Sequence, residues 1–248
     1  MFYETHVITL DPGSDRFAIF RAANAHLPFQ IFRAVPGAGL SREERLAQNL
    51  VTPDCLSAGA VTDGEIGAAA SHLALWRQVK HSNVPMLILE DDVITHPKIA
   101  EVIAGLDLSA IDLLFFAVNT DVLLATVSPE GVREFSSFAD RHPSPERIAE
   151  ILAGTDLRRL SMRRMLNCFG LCCYLVTPQG AEKLIRDVLP LRQYFVDVPG
   201  LSGVRIGGTS IDRRLNALYG DLRAFLMRPF LAWTPNTDSS TRAPSRQR

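Results

Sequence analysis

The most constraining stretch in this chain is Met86-Leu87-Ile88-Leu89-Glu90-Asp91-Asp92-Val93, in which four apolar residues run directly into three carboxylates. A short apolar run of this kind reads as a buried β-strand. Unpaired carboxylates are costly inside a core, so the three acids must sit where the strand leaves it. In open α/β sheets the carboxyl ends of the strands are where ligands bind. Acids fixed there form a hard-oxygen site suited to Mg²⁺ or Mn²⁺, and such ions commonly also hold a substrate diphosphate.

The rest of the chain alternates strand and helix signals around that stretch. Thr5 to Leu10 is β-rich and stops at Asp11-Pro12-Gly13, after which Ser14 can cap a helix carrying Phe17, Ile19, Phe20 and Ala23. Phe29 to Val35 is a second strand, ended by Pro36-Gly37. This is a βαβ opening, and it predicts a doubly wound α/β sheet. Ser41-Arg42-Glu43-Glu44 and Thr62-Asp63-Gly64-Glu65 are capping boxes. The second opens a helix with Ile66, Ala69, Ala70, Leu73, Trp76 and Val79 at helical spacing, and the stretch between the boxes, Thr52 to Ala60, reads as loop.

Beyond the acids, Pro97 opens a helix, Ile111 to Val118 is a buried strand with Asn119-Thr120-Asp121 at its end, and Leu123 to Val127 is a further strand. Pro129 to Arg164 is the least readable segment, with a helix signal at Ser144-Pro145 and a cluster of Arg158, Arg159, Arg163 and Arg164 that reads as a solvated or lid-like segment, a role near phosphates staying open. Phe169 to Val176 is a strand, Thr177-Pro178 starts a helix, and Tyr194 to Val198 is extended. Pro199 to Gly208 is a glycine-rich loop, Ser210 to Tyr219 a helix and Leu222 to Met227 a strand. The polar end, residues 236–248, reads as a flexible tail.

Composition narrows the function classes. A net charge of -1 gives no global reason to bind nucleic acid or an anionic membrane. The apolar runs are too short to cross a bilayer, and the opening residues carry no signal-peptide pattern, so the expectation is a cytoplasmic protein. Cys55, Cys168, Cys172 and Cys173 lack the paired spacing of a zinc site and read as buried reduced thiols. Arg16, in the first turn after the first strand, could reach a phosphate or could be solvated. His72 lies mid-helix, where a histidine is more often structural than catalytic.

Several segments together resemble the family 25 glycosyltransferases, the lipopolysaccharide-biosynthesis and collagen galactosyltransferase-like enzymes. They are Val7 to Asp11 with Arg16, Arg33 to Gly37, Gly64 to Trp76, Leu87 to Val93, and Tyr174 to Ala181. The pairing of the Gly64–Trp76 and Leu87–Val93 segments is the specific part. The resemblance covers roughly residues 5–200 and is thin between Val118 and Asn167.

The resemblance implies a GT-A type Rossmann-like fold, with a mixed, mainly parallel central sheet flanked by helices. It implies one such domain over residues 1–235, with a nucleotide-sugar half to about residue 120 and an acceptor half from 121 to 235. The implied donor is a UDP-sugar, most simply carrying galactose. The implied acceptor is a saccharide or lipid-linked saccharide of a surface glycan, and the enzyme would work in the cytoplasm or at the inner face of the membrane. The implied cofactor is Mn²⁺ or Mg²⁺, with Asp92 the direct ligand, Glu90 the next candidate and Asp91 positioning ribose or backbone. Donor contacts fall on Leu10, Arg16, Val35, Ser71, His72, Glu90 and Asp91.

Transfer with inversion requires a general base near the acceptor oxygen, and Asp197 and Asp212 are the candidates. Asp238-Ser239-Ser240 resembles a donor-contacting tail segment. Two positions depart from the family pattern. Pro36 stands where an Asp is usual, which opens the question of uracil specificity, and Ala68 stands where a Cys is usual. Two other readings stay open: metal-assisted phosphoryl transfer or hydrolysis on the same acids, and a non-catalytic binding relative of the fold.

Overall fold

The computed structural model describes residues 2–198 and 203–235. The chain opens with β1 (Glu4–Thr9), α1 (Asp15–Ala23) and β2 (Gln30–Arg33), then the short helices α2 (Arg42–Ala47) and α3 (Pro53–Ser57). The long helix α4 (Asp63–Ser82) leads into β3 (Met86–Glu90), β4 (Ile94–Thr95), α5 (Ile99–Ala104) and β5 (Leu113–Ala117). Next come β6 (Leu124–Val127), β7 (Arg133–Ser136), α6 (Pro145–Ala153), β8 (Ser161–Asn167), β9 (Cys173–Val176) and α7 (Pro178–Asp187). The described chain closes with β10 (Tyr194–Asp197), β11 (Arg205–Gly208), α8 (Ile211–Asn216), β12 (Ala224–Arg228) and β13 (Ala232–Trp233).

Nine strands form one twisted sheet in the order β2-β1-β3-β9-β5-β12-β8-β6-β7. The expected α/β architecture is present, but the sheet is not mainly parallel. Three of its pairings are parallel and five are antiparallel. Two of the five come from β9, which enters between β3 and β5 and runs against both, and the other three from β6, β7 and β8, which add to β12 as an antiparallel run. Hydrophobic runs identify buried strands without fixing which neighbour they pair with. A boundary near residue 120 does not divide this sheet, because β9 and β12 from the later chain flank β5 from the earlier chain.

Two apolar layers cover the two faces. Met86 and Ile88 of β3 pack with α4 and α7 residues such as Trp76, Val79 and Leu184. Leu87 and Leu89 pack on the opposite face with Phe17, Phe20, Ile99 and Ile103. The four apolar residues of β3 are fully buried, each contributing about 1.5–3 kcal/mol of hydrophobic stabilisation. This alternation decides where the acids go: Glu90 continues the α4 face and Asp91 the α1 face.

Helix α4 is anchored at its start by the capping box between Thr62 and Glu65, and it ends at Asn83 in the left-handed conformation. A backbone contact fixes its first turns. A Cβ on Gly67 would lie 2.6 Å from the Val35 carbonyl oxygen. Arg45 reinforces this seam, donating to the carbonyls of Leu40 and Gly37 and to Asp63. The stretch from Thr52 to Ala60, expected as loop, contains α3, capped by Thr52 and started by Pro53. Of the expected strand from Phe169 to Val176, the last four residues are regular. The expected tail and Asp238-Ser239-Ser240 lie outside the described residues.

Candidate active site

The carboxyl ends of β3 and β5 and the amino end of antiparallel β9 meet at one edge of the sheet. A cleft of about 670 Å³ opens there. Its walls are Glu65, Ala68 and His72 of α4, Glu90 at the end of β3, and Asn119, Asp121 and Val122 after β5. Thr62, Phe169 to Leu171 ahead of β9, Ile206, and Ser210 to Arg213 complete it. The charged lining is mostly acidic, with Arg213 the cation among these wall residues.

The three acids divide. Asp91 is committed to the protein: one oxygen accepts from Thr9 Oγ1 at 2.6 Å, and the other from Arg16 Nε at 2.7 Å. Arg16 also reaches Asp92 at 3.2 Å, so one guanidinium bridges both aspartates. Burial works against the Arg16 charge, but Asp92 and Asp91 outweigh it and raise its pKa. Burial pushes Asp92 above the usual carboxylate range, with Arg16 and the Thr234 side chain working the other way. Asp92 Oδ1 is buried with no hydrogen-bond partner. Glu90 turns into the cleft. Burial first, then the negative charge of Asp92, lifts its pKa from 4.5 to about 8.

These features bear on the fit of a divalent cation. Among the described residues no three His, Cys, Asp or Glu side chains cluster as a ready metal cage. Mg²⁺-type sites rarely use such a cage: one or two carboxylates hold the ion, and substrate phosphates and water fill the remaining positions. An orphaned Asp92 oxygen and a Glu90 whose charge is disfavoured by burial and then by Asp92 are a hard-oxygen pair that a cation would relieve. The residues present fit.

The other sequence-derived candidates are spread differently. Ser71 is fully buried and structural, donating to the Gly67 carbonyl at 2.7 Å and accepting from the Val35 amide at 2.9 Å. Val35 is thereby tied to α4. Leu10 is half exposed beyond the end of β1. His72 borders the cleft, with Nδ1 2.8 Å from the Tyr174 hydroxyl, and burial pushes its pKa down to about 3.

Asp212 borders the cleft and accepts from the Gly170 amide at 3.1 Å, the Arg213 amide at 2.8 Å and the Ser210 hydroxyl. Gly170 adopts φ +81° with Asn119 packed against its α-carbon, a position that only glycine fills without strain. Asp197 is instead on the exposed β10–β11 hairpin, paired with Arg205 at 3.2 Å, and is not among the cleft residues.

Sequence reasoning left Asn119, Asp121, Gly170 and Arg213 unassigned. Asn119 and Asp121 carried a usable signal, since they follow β5 as Glu90 ends β3. Tyr174 carried a weaker one, as the polar residue in an apolar strand.

The sequence pattern of glycosyltransferase family 25 (LPS biosynthesis protein) matches residues 2–198. The chain belongs to this family. A glycosyltransferase of this family works on a nucleotide-sugar donor and a saccharide acceptor. No curated protein matches the chain. Among solved structures, the crystal structure of A197 from STIV aligns over 91% of this chain and 81% of its own, with 10% identity and a TM-score of 0.35, too loose a likeness to carry an argument. Among the described residues no helix is long and apolar enough to cross a membrane.

Proposed function

We propose that this glycosyltransferase has the GT-A arrangement and transfers a hexose, most simply galactose, with inversion, from a UDP-sugar to a saccharide acceptor. Surface-glycan synthesis, at the cytoplasmic face of a membrane, is the setting this reading gives it. The observation that carries the proposal is the split of the acids at the end of β3: Arg16 ties Asp91 and Asp92 together, Glu90 lines the cleft, and one Asp92 oxygen, behind the lining, is buried without a hydrogen-bond partner.

Asp92 and Glu90 would hold Mn²⁺ or Mg²⁺. The bound ion would supply Lewis-acid stabilisation of the leaving diphosphate. Arg16 keeps the two aspartates in place and adds positive charge near the diphosphate. Val35, fixed by Ser71, and the adjoining Pro36 would border the nucleotide base. Pro36 offers no acidic side chain there, so base recognition falls to backbone groups. Asp212 is the proposed general base. Three of its roughly four acceptor positions are taken, which leaves one for an acceptor hydroxyl. Asp197 takes no part from its exposed hairpin.

The test is a donor panel, with UDP-sugars beside sugars on other nucleotides, read as nucleoside diphosphate released with Mn²⁺ present. Release with sugar appearing on an acceptor supports the proposal. Release of inorganic phosphate instead would favour phosphoryl chemistry. Asp212→Asn is expected to lower turnover at least about 100-fold, and Asp197→Asn to leave it within about twofold.

A further inference from the structure

Three side chains form a hydrogen-bonded chain that starts at the cleft wall and runs into the core. His72 and Trp76 lie one turn apart on α4, and both reach the hydroxyl of Tyr174 on the central strand β9. The Trp76 Nε1 to Tyr174 oxygen distance is 2.8 Å, and the His72 Nδ1 to Tyr174 oxygen distance is also 2.8 Å. Trp76 and Tyr174 are fully buried, and His72 is 2% exposed.

Proton accounting fixes the direction of each bond. An indole nitrogen can only donate, so the phenol oxygen accepts from Trp76. The phenol has one proton of its own, and among the described residues His72 Nδ1 is the acceptor in reach. A proton on Nδ1 would leave the phenol proton buried without an acceptor, which is costly. Nδ1 therefore accepts, and in a neutral imidazole the remaining proton sits on Nε2. Burial keeps the ring neutral. Nε2 makes no hydrogen bond to a described residue, and the side chain borders the cleft.

We propose that Trp76 and Tyr174 lock His72 in the tautomer protonated on Nε2, so that His72 faces the cleft as a one-way hydrogen-bond donor to a substrate oxygen. The identity of that oxygen, a sugar hydroxyl, rests on the glycosyl-transfer reading. The lock itself does not. A hydroxyl bound among carboxylates gives its proton to one of them and still offers lone pairs. In a mostly acidic cleft a fixed N–H is what can occupy them. His72 is then no proton shuttle: its acceptor nitrogen is consumed from below. Trp76 and Tyr174 are positioning residues acting through it.

The experiment reads the tautomer directly, by NMR of protein labelled with ¹⁵N-histidine, free of ligand. The chain has six histidines, so His72→Gln identifies the signal by its loss. The parent is expected to show His72 protonated on Nε2, and Tyr174→Phe to show a mixture of tautomers. A parent His72 protonated on Nδ1, or a tautomer unchanged in folded Tyr174→Phe, would overturn the lock.

A second arm measures sugar transfer with the best donor from the panel. His72→Leu is expected to lose about tenfold or more. His72→Gln, whose amide can donate from near the same place, should recover part of it. Equal rates in parent and His72→Leu, or equal losses in folded Leu and Gln variants, would overturn the donor role. Should the parent turn over no nucleotide sugar at all, the functional reading fails, and the tautomer arm still decides the lock.

Discussion

Glu90→Gln is expected to stabilise the ligand-free protein at alkaline pH. The pKa of Glu90 rises from 4.5 to about 8 on folding, because burial and the neighbouring aspartates disfavour its charge. Below pH 4.5 the carboxyl is protonated in both folded and unfolded chains, and its protonation adds no pH dependence. Between 4.5 and about 8 the unfolded chain ionises while the folded one keeps its proton, so stability falls as pH rises. Above about 8 the folded carboxyl ionises too, and the loss is complete.

At 1.36 kcal/mol per tenfold, the full difference is about 5 kcal/mol. Water in the cleft and the adjustment of Asp92 reduce it to about 2–3 kcal/mol. The neutral amide carries no such penalty. At pH 9 the variant should therefore melt about 5–10 °C above the parent, and at pH 4.5 the two should nearly coincide. Thermal melts at half-unit steps of pH measure this. A variant that melts at or below the parent at pH 9 would refute the idea that Glu90 is held against its charge. Mn²⁺ with UDP should reverse the order, raising the parent more than the variant.

Two further perturbations test the scaffold beneath the site. Asp112 is fully buried and bonded to Lys183 at 2.6 Å and Arg223 at 2.8 Å. Burial opposes its charge, but the bonds from Arg223 and Lys183 win and hold its pKa below 3.8, so its stabilisation is present above that pH and lost as pH falls through the folded value. Asp112→Ala should cost about 2–4 kcal/mol at pH 7 by urea denaturation, with the gap to the parent closing in acid. Gly67→Ala drives a Cβ to 2.6 Å from the Val35 carbonyl and 2.9 Å from the Gly37 nitrogen. Both neighbours are backbone, so a loss of about 2 kcal/mol or more is expected, along with weaker nucleotide binding if this seam borders the base.

Local signals in the sequence were strong wherever one residue type answers one physical need. The capping boxes at Ser41 and Thr62 and the caps at Ser14 and Ser144 all form as read, because each side chain supplies an acceptor to a helix amide that would otherwise lack one. The buried strands ending at Glu90 and Ala117 were legible as apolar runs. Pairing direction was not, since nothing within Cys173 to Val176 encodes that it slots between two strands running the other way.

β7 and β8 were hidden for a related reason. The alternating Ser161-Met162-Arg163-Arg164-Met165 looks like a solvated basic cluster until the Arg163–Glu134 bridge and pairing with β12 are seen. At the site, the acids are legible in the sequence and their division is not. Strand alternation separates Glu90 from Asp91, but the link from Arg16 to Asp91 and Asp92 spans about 75 residues of chain. His72 was legible as a candidate, whereas Tyr174, which decides its protonation, lies 102 residues away.

The most direct test of the account is the affinity of UDP measured by titration calorimetry, with and without Mn²⁺, for the parent and for Asp92→Ala. The account predicts that Mn²⁺ tightens UDP binding at least about tenfold in the parent, equivalent to about 1.4 kcal/mol, and has little effect in the variant. Equal, Mn²⁺-dependent binding by both proteins would contradict the assignment of the ion to the acids that end β3.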